Sequence, residues 1–274
     1  MLGKPVVKEL VDAGLDVTVI SRNRPVAQGV LPDEVKVAEG NAEDQAFLQE
    51  VLVGKDAVYI SLNVDPDEKE DDFHPELDGV RNILEAAKAN QVKRIAYLSS
   101  LIKDYDGFDW WVFDVKNRAV KLIQQSEIPH TIFYPSAFME TLTERQVQGS
   151  RINIAGTQKT RSYWVAGQDY GQQVAQALKE THEENKEYVV QGLEPLNTEE
   201  AAKIYAENYP HKQLKVGKAP LGVLKFMGFF SPQMKYAARI TEALNNNPET
   251  FRADSTWEEL GKPTTTMAEY AKGL

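Results

Sequence analysis

The chain has 274 residues, 42% of them hydrophobic and 26% charged, a composition typical of a globular protein with a sizeable core. Its formal net charge of −10 argues against nucleic acid or an anionic membrane as a partner, because both bind basic surfaces. The absence of cysteine excludes disulfides, thiolate metal ligands and cysteine nucleophiles. The sequence shows neither a signal-peptide pattern nor a long apolar segment, and we therefore expect a cytoplasmic protein.

Helical and strand patterns alternate through the first half of the chain. The strands are apolar on both faces, which is typical of a parallel sheet covered by helices. With right-handed crossovers, the pattern predicts an α/β fold with a doubly wound parallel sheet of the Rossmann type. The predicted helices are 3–14, 42–54, 74–91 and 112–127, and the predicted strands are 15–22, 35–41, 56–63, 92–100 and 130–135.

The alternation loosens after about residue 140, where a strand at 187–192 and a capped helix at 197–209 are the clearest elements. No repeat or low-complexity linker separates the two parts. We therefore divide the chain into a doubly wound domain, 1–140, and a small mixed C-terminal lobe, 141–274. The lobe is expected to pack on the first domain and to add some strands to the main sheet.

The chain begins with a helix, whereas a doubly wound sheet that binds a dinucleotide begins with a buried strand and a glycine-rich turn. The first segment, GKPVVKELVDAGLDVTVISR, resembles the NmrA-like atypical short-chain dehydrogenase/reductase family, in which a strand and a GxxGxxG turn run into such a helix. Gly3 matches the third glycine, which allows close helix–strand packing. The first strand and the first two glycines have no counterpart here.

Two interpretations of this start are open. In one, the natural chain begins about ten residues upstream, which would supply the strand and the turn. In the other, the protein lacks its central strand and binds the cofactor poorly or not at all. We favour the first, because loss of a central strand exposes two ladder edges inside a sheet. The resemblance implies that 1–140 binds NAD(P) and that 141–274 binds the substrate.

The end of the second strand of such a fold selects between NAD and NADP. An acidic residue there would bind the ribose 2′-hydroxyl, but this sequence has Arg22, Asn23 and Arg24, whose guanidinium groups suit a 2′-phosphate. The sequence therefore favours NADP, with a solvated basic turn as the alternative. Asn41 and Ala42 end the next strand, where the resemblance implies a contact with adenine; a helix N-cap is the alternative reading.

Small polar residues end two further strands, where ligands bind in open α/β sheets. Ser61, Leu62 and Asn63 follow one strand, and Ser99 and Ser100 follow the next. We expect all five to contact the cofactor side of the site. In the family that the segment YLSSL resembles, a serine or threonine near this place contributes to the active site, so Ser99 and Ser100 are also catalytic candidates. A pair of turn or helix caps is the alternative.

Lys116 lies in the helix predicted at 112–127, in register with the lysine of the Tyr-x-x-x-Lys pair of short-chain dehydrogenases. The resemblance implies that Lys116 binds the nicotinamide ribose and takes part in catalysis. The tyrosine position holds Val112, so the usual proton donor is absent and ordinary carbonyl reduction is in doubt. Asp114 and Tyr105 are weak substitutes, and an exposed helix lysine is the alternative for Lys116.

The strand at 130–135 ends in a partial match to the Arg-Pro-Gly-x-Phe pattern of the resembling family. Tyr134, Pro135 and Ser136 are therefore predicted on the nicotinamide side. Phe138 and Met139 are predicted to line the substrate pocket, with a place in the core as an equal alternative. The later residue Asp169 is predicted to be a helix N-cap.

Five large apolar residues cluster in 218–250, and they form a lid over an apolar substrate, a subunit interface or part of the lobe core. We place Phe226 in the substrate site. The cluster comprises Phe226, Met227, Phe229, Phe230 and Met234. The four histidines, 74, 130, 182 and 211, lack the spacing of metal ligands, so no metal is expected.

These features favour an NADPH-dependent oxidoreductase that acts on a small apolar or quinone-like substrate. The resemblance also allows a non-catalytic regulator that binds NADP and senses redox state. A sugar-nucleotide epimerase ranks last, because that class needs the tyrosine that Val112 replaces. The predicted partner is a small molecule, and a homodimer is left open.

Overall fold

A computed structural model describes residues 2–179 and 184–274. None of the helices in these residues is long and apolar enough to cross a membrane. The strands, in chain order, are β1 (Thr18–Ser21), β2 (Lys36–Glu39), β3 (Ala57–Ile60), β4 (Arg94–Leu98), β5 (His130–Pro135), β6 (Val147–Gln148), β7 (Arg151–Ala155), β8 (Ser162–Tyr163), β9 (Lys186–Val190), β10 (Pro195–Leu196) and β11 (Lys215–Ala219).

Helices precede, separate and follow these strands. A π-helical turn, Pro75–Gly79, leads directly into one of the helices, and another, Leu142–Gln146, precedes β6. The helices, in chain order, are α1 (Gly3–Asp12), α2 (Arg24–Gln28), α3 (Gln45–Val51), α4 (Val80–Ala89), α5 (Trp111–Gln124), α6 (Gly167–Lys179), α7 (Thr198–Asn208), α8 (Leu221–Met227), α9 (Pro232–Asn246), α10 (Asp254–Leu260) and α11 (Met267–Lys272).

The main sheet is parallel, has the order β3-β4-β5-β9, and is covered on both faces, which confirms the predicted fold class. The side chains of β4 show how the faces are separated. Ile95 and Tyr97 point to the core formed with α4 and α5, whereas Ala96 and Leu98 point to the core formed with α1 and α6. This alternation follows from the two-residue repeat of a strand.

The first two strands form a sheet of their own. β1 pairs with β2 in parallel, and no strand in the described part of the chain pairs with both β1 and β3. A side-chain hydrogen bond crosses from one sheet to the other, in which the Lys55 ammonium donates to the Thr18 hydroxyl over 2.8 Å. The β1–β2 pair is therefore separate from the four-stranded main sheet in the described residues.

The C-terminal part contributes to the main sheet and also forms small sheets. β9 pairs in parallel with β5, and a mixed sheet has the order β11-β7-β6. The boundary predicted near residue 140 stays a prediction. The prediction that Asp169 is an N-cap is wrong: α6 begins two residues earlier, and the buried carboxylate accepts hydrogen bonds from the backbone N–H groups of Thr264 and Thr265. Asp169 thus anchors the C-terminal segment to α6.

Candidate cofactor and active site

The carboxyl end of β4 carries two buried hydroxyl groups. Ser99 is 3% exposed, and its backbone N–H donates to the Phe133 carbonyl on β5 over 2.8 Å. The side-chain oxygens of Ser99 and Ser100 are buried and have no hydrogen-bond partner within 2–179 and 184–274. Because buried polar atoms are normally paired, two unpaired hydroxyls at a strand end fit a polar ligand. These serines therefore fit the ribose and nicotinamide of a dinucleotide.

Lys116 lies on the buried face of α5, on the same stripe as Val112, Ala119 and Ile123. Its residue exposure is 9%, and its ammonium group forms an ion pair with the carboxylate of Glu76, which is 1% exposed. A lysine is rarely buried without a partner, so this pair explains why α5 can place a cation against the sheet. The alternative of an exposed helix lysine is excluded.

Glu76 is held by three different parts of the chain. It lies in the π-helical turn that precedes α4, a kind of irregularity that is frequent at functional sites. One carboxylate oxygen accepts from the Lys116 ammonium and from the Tyr97 hydroxyl, the latter over 3.1 Å. The other oxygen lies 3.3 Å from the backbone nitrogen of Val64, just beyond β3. Glu76 therefore connects β3, β4 and α5 below the strand ends.

An aromatic cluster lies beside this ion pair. Trp110 and Phe113 pack edge to face with ring centroids 5.1 Å apart, and Tyr236 of α9 packs against Trp110 at 5.0 Å. Val112 belongs to the same cluster and is 4% exposed, so no hydroxyl stands at the usual tyrosine position. The cluster provides an apolar wall next to the Lys116 ion pair.

Neither of the two substitute proton donors is placed beside the lysine ion pair. Asp114 lies on the exposed side of α5, opposite the stripe that carries Lys116. Tyr105 packs its ring edge against Phe108, at a centroid distance of 5.2 Å. No hydrogen bond joins either residue to Lys116 or Glu76 in the described part of the chain. The proton-donor role of both stays a prediction without a supporting contact.

The basic turn follows β1, as predicted. Arg22 and Arg24 are exposed, and neither guanidinium forms an ion pair with any residue that the structure describes. Asn23 is the N-cap of α2, because its side-chain oxygen accepts from the Val26 N–H over 3.0 Å. The two guanidinium groups are free to bind an anion, while Asn23 orders the backbone between them.

The end of β2 combines a turn with close packing. The Asn41 side-chain oxygen accepts from the backbone N–H groups of Glu43 and Asp44, at 2.7 and 3.2 Å. The N-cap of α3 is Asp44. Ala42 contacts the π-helical turn so closely that a Cβ on Gly79 would lie 2.8 Å from the Ala42 Cβ. The alternative that Asn41 is the helix N-cap is thus wrong, because Asp44 has that place. The adenine contact stays a prediction.

The remaining predicted cofactor residues near the first sheet lie in different surroundings. Leu62 packs against the core between the sheet and α4, Ser61 is half-buried, and Asn63 is exposed. Gly3 begins α1, and a Cβ there would meet no atom within 4 Å in the described chain. The close packing expected at Gly3 has no counterpart in the residues described, and the roles of all four stay predictions.

The end of β5 makes contacts that the sequence did not indicate. The Tyr134 hydroxyl donates to Glu187 over 3.1 Å, and burial together with this carboxylate raises the pKa of Tyr134. Pro135 is buried, and the Ser136 hydroxyl donates to Glu249 over 2.9 Å. Tyr134 and Ser136 thus already have protein partners, and no contact of theirs reaches Lys116.

The three residues predicted to bind substrate are separated in the structure. Phe138 packs with Tyr170 in the core on the α1–α6 face, and Met139 lies in the C-terminal core at 2% exposure. Phe226 is 63% exposed on α8. The two buried side chains have the core surroundings that were the alternative expectation, and their substrate role stays a prediction.

The apolar cluster of 218–250 forms an exposed helical hairpin, α8–α9. Phe229 and Phe230 are 84% and 79% exposed, and α8 has no buried residue. The alternative of a lobe core is therefore wrong for these residues. α9 rests on the segment before α5, where Arg239 donates to the Asp109 carbonyl over 3.0 Å. The hairpin thus lies beside the aromatic wall. Two interpretations of the cluster therefore remain, a lid over the substrate and a subunit interface.

The described histidines, 74, 130 and 211, lie apart from one another. His74 stacks on Trp111 at 4.8 Å. Its pKa is raised, because burial lowers it but the hydrogen bonds to Glu68 and Glu70, together with the charges of Glu68 and Asp78, raise it more. No cluster of His, Asp or Glu suited to a metal occurs in residues 2–179 and 184–274. Position 182 lies outside the described residues.

Comparison with known proteins decides the family. Residues 1–181, about two thirds of the chain, match the family described as NAD(P)H-binding. The chain belongs to this NAD(P)H-binding family. The predicted resemblance is thereby confirmed, and so is a nicotinamide nucleotide as the cofactor.

Relatives of this NAD(P)H-binding protein are distant. The photosystem II assembly factor Ycf39 of Trieres chinensis is 24% identical over 265 residues, which is 94% of this chain and 82% of that protein. Triphenylmethane reductase of Citrobacter sp., solved with NADP(H), has a TM-score of 0.73 and 20% identity over 100% of this chain and 96% of its own. The NADPH-dependent quinone oxidoreductase QOR2 of Escherichia coli has a TM-score of 0.73 and 21% identity over the same shares. These likenesses show a shared fold.

Two residues that contact or adjoin the Lys116 ion pair were missed by the sequence analysis. Glu76 and Tyr97 lie 40 and 19 residues before Lys116, and only the fold brings the three together. One signal was available: Lys116 lies on an apolar stripe of α5, and a lysine on a buried stripe requires a carboxylate partner. Glu76, at the start of the helix predicted at 74–91, was a candidate for that partner.

Proposed function

We propose that this protein is an NADPH-dependent oxidoreductase whose acceptor is a small, apolar, quinone-like molecule. The observations that carry the proposal are the buried Lys116–Glu76 ion pair beside an aromatic wall and the two buried, unpaired hydroxyls of Ser99 and Ser100 at the end of β4. Two proteins of the same fold, a triphenylmethane reductase and a quinone oxidoreductase, support this class of substrate.

The cofactor would extend along the strand ends. Arg22 and Arg24 would bind the 2′-phosphate, and Asn41 with Ala42 would contact the adenine. Ser61, Leu62, Asn63, Tyr134, Pro135 and Ser136 are the other residues proposed to line the nucleotide. Gly3, at the start of α1, would lie near the pyrophosphate.

Lys116, Ser99 and Ser100 would serve the reacting end. Two of the three ammonium protons of Lys116 remain for ribose hydroxyls or a substrate oxygen, and the serine hydroxyls can donate to the same groups. NADPH supplies the hydride when bound. A quinone accepts this hydride, which carries two electrons, and one proton from water completes the hydroquinone. Such an acceptor suits a site in which Val112 stands at the usual tyrosine position.

We expect the Arg22→Ala variant to weaken NADPH binding about tenfold or more while NADH binding changes by less than about twofold, because one charge-assisted hydrogen bond to the phosphate is lost. Fluorescence titration of both nucleotides measures the difference. Arg118→Ala, an exposed arginine on α5, is the matched control and should leave both affinities unchanged. Equal losses for the two nucleotides would remove the phosphate role from Arg22.

A regulator that binds NADP without turnover is the second candidate, and the buried Val112 favours it because no tyrosine hydroxyl is available. The loss of NADPH absorbance with a panel of quinones separates the two. Oxidation that depends on the quinone supports the reductase, whereas tight binding without oxidation by any acceptor supports the regulator. The predicted cytoplasmic location and the homodimer are further proposals, which cell fractionation and light scattering address.

A further inference from the structure

The Glu76 carboxylate is buried below the strand ends, and the proposed function does not yet use it. Its residue exposure is 1%, which is lower than that of Lys116 at 9%. Both of its oxygens face donors: Lys116 and Tyr97 on one side, and the Val64 N–H on the other. A carboxylate fixed on both oxygens has one orientation, so it can hold its cation in one place.

The titratable groups that face Glu76 come from three elements. Lys116 lies on α5, Tyr97 lies on β4, and Tyr236 lies on α9. Burial and then the Glu76 charge raise the pKa of Tyr236 to about 12, and the same two causes raise the pKa of Tyr97. Both phenols therefore stay protonated and neutral at neutral pH. Among these groups, Lys116 is therefore the cation that balances the negative charge of Glu76.

The strand geometry ties this pair to the serines. Tyr97 and Ser99 are two residues apart at the end of β4, and successive side chains of a strand point to opposite faces. Tyr97 contacts Glu76 on the face that carries α5, and Ser99 follows on that face. The Ser99 hydroxyl thus belongs to the same face of the sheet as Tyr97, which contacts the Glu76–Lys116 ion pair.

We propose that Glu76 is a positioning residue, whose buried carboxylate fixes the Lys116 side chain toward the strand ends and keeps it as an ammonium ion. Given the proposed function, Lys116 then acts as a hydrogen-bond donor and a positive charge at the reacting end, not as a base that removes a proton. Without the carboxylate, the buried amine would favour its neutral form, because burial disfavours a charge that has no partner.

The charge of Lys116 can be measured without any nucleotide. We expect the NMR signal of isotope-labelled Lys116 Cε, identified by its loss in Lys116→Arg, to change from the ammonium to the amine position at lower pH in Glu76→Gln than in the parent chain. Glu76→Asp, which retains a carboxylate, should restore part of the ammonium state. Tyr97→Phe, which leaves the ion pair intact, should resemble the parent. If the Lys116 signal changed at the same pH in Glu76→Gln and in the parent, the proposal would be overturned.

Binding of NADPH gives the second readout. We expect the dissociation constant of Glu76→Gln to rise about tenfold across the pH range in which its Lys116 NMR signal changes, while that of the parent changes by less than about twofold over the same range. A pH-independent constant in the variant would overturn the role in positioning. If the parent itself bound no NADPH, the proposed function would fail, whereas the NMR result would still decide the role of Glu76.

Glu76→Gln leaves a buried cation without its partner, which can prevent folding. In that event the double variant Glu76→Gln with Lys116→Met, which removes both charges, is the deciding measurement. Recovery of the folded state in the double variant, followed by circular dichroism, supports the coupling of the two residues. A double variant that stays unfolded shows that Glu76 is required by the fold itself and overturns the proposal.

Discussion

Replacing Lys116 by methionine is expected to lower kcat/KM for quinone-dependent NADPH oxidation by about 100-fold or more. The variant removes the ammonium that pairs with Glu76 and that we propose to act at the reacting end, and methionine keeps a similar apolar stem on the buried stripe of α5. Steady-state oxidation of NADPH measures the loss. Lys121→Met, on the exposed side of the same helix, is the matched control and should retain activity within about twofold.

The Lys116→Met variant also leaves the Glu76 carboxylate buried without its cation. The double variant Lys116→Met with Glu76→Gln therefore belongs beside it, since removal of both charges preserves stability better than removal of one. We expect the double variant to fold and to remain inactive. Activity close to that of the parent in either folded variant would show that Lys116 is not part of the catalytic site.

Replacing Gly192 by alanine is expected to lower the free energy of unfolding by about 3 kcal/mol, a fall of roughly 5–10 °C in Tm. Gly192 follows β9, and an added Cβ would lie 1.7 Å from the carbonyl oxygen of Trp164. Trp164 is 4% exposed, and its indole N–H donates to the Leu196 carbonyl. The Trp164 backbone therefore has little room to move. Urea denaturation followed by circular dichroism measures the change.

Gly222→Ala is the control for the previous substitution. Gly222 lies in α8, and an added Cβ there would meet no atom within 4 Å. Because alanine has a higher helix propensity than glycine, we expect the free energy of unfolding to stay the same or to rise by up to about 1 kcal/mol. If both variants unfolded at the same urea concentration, the close approach at Gly192 would not limit the packing of β9.

The sequence was sufficient for the parallel sheet, whereas Lys116 was singled out by the family resemblance and its role in the site stays a prediction. Strands that are apolar on both faces require cover on both sides, and β4 has the two cores that this pattern predicts. The stripe that buries Lys116 is also local, because it repeats along a single helix. Such features depend on residues a few positions apart, so the hydrophobic periodicity of the sequence predicts them directly.

The partners of the site residues could not be predicted in this way. Ser136 binds Glu249, 113 residues away, and Asp169 binds the backbone at Thr264 and Thr265. Each of these contacts depends on how distant segments pack, which no local pattern specifies. The same reason explains why Glu76 was not recognised as the partner of Lys116.

The hairpin of α8 and α9 has a consequence for how related proteins diverge. Since α8 buries none of its side chains, substitutions there change the surface presented beside the aromatic wall with little loss of folding free energy. Mutations in α8 are thus free to accumulate without compensating changes in the core. New preferences for a substrate or a partner can therefore evolve in this segment while the nucleotide-binding sheet is conserved.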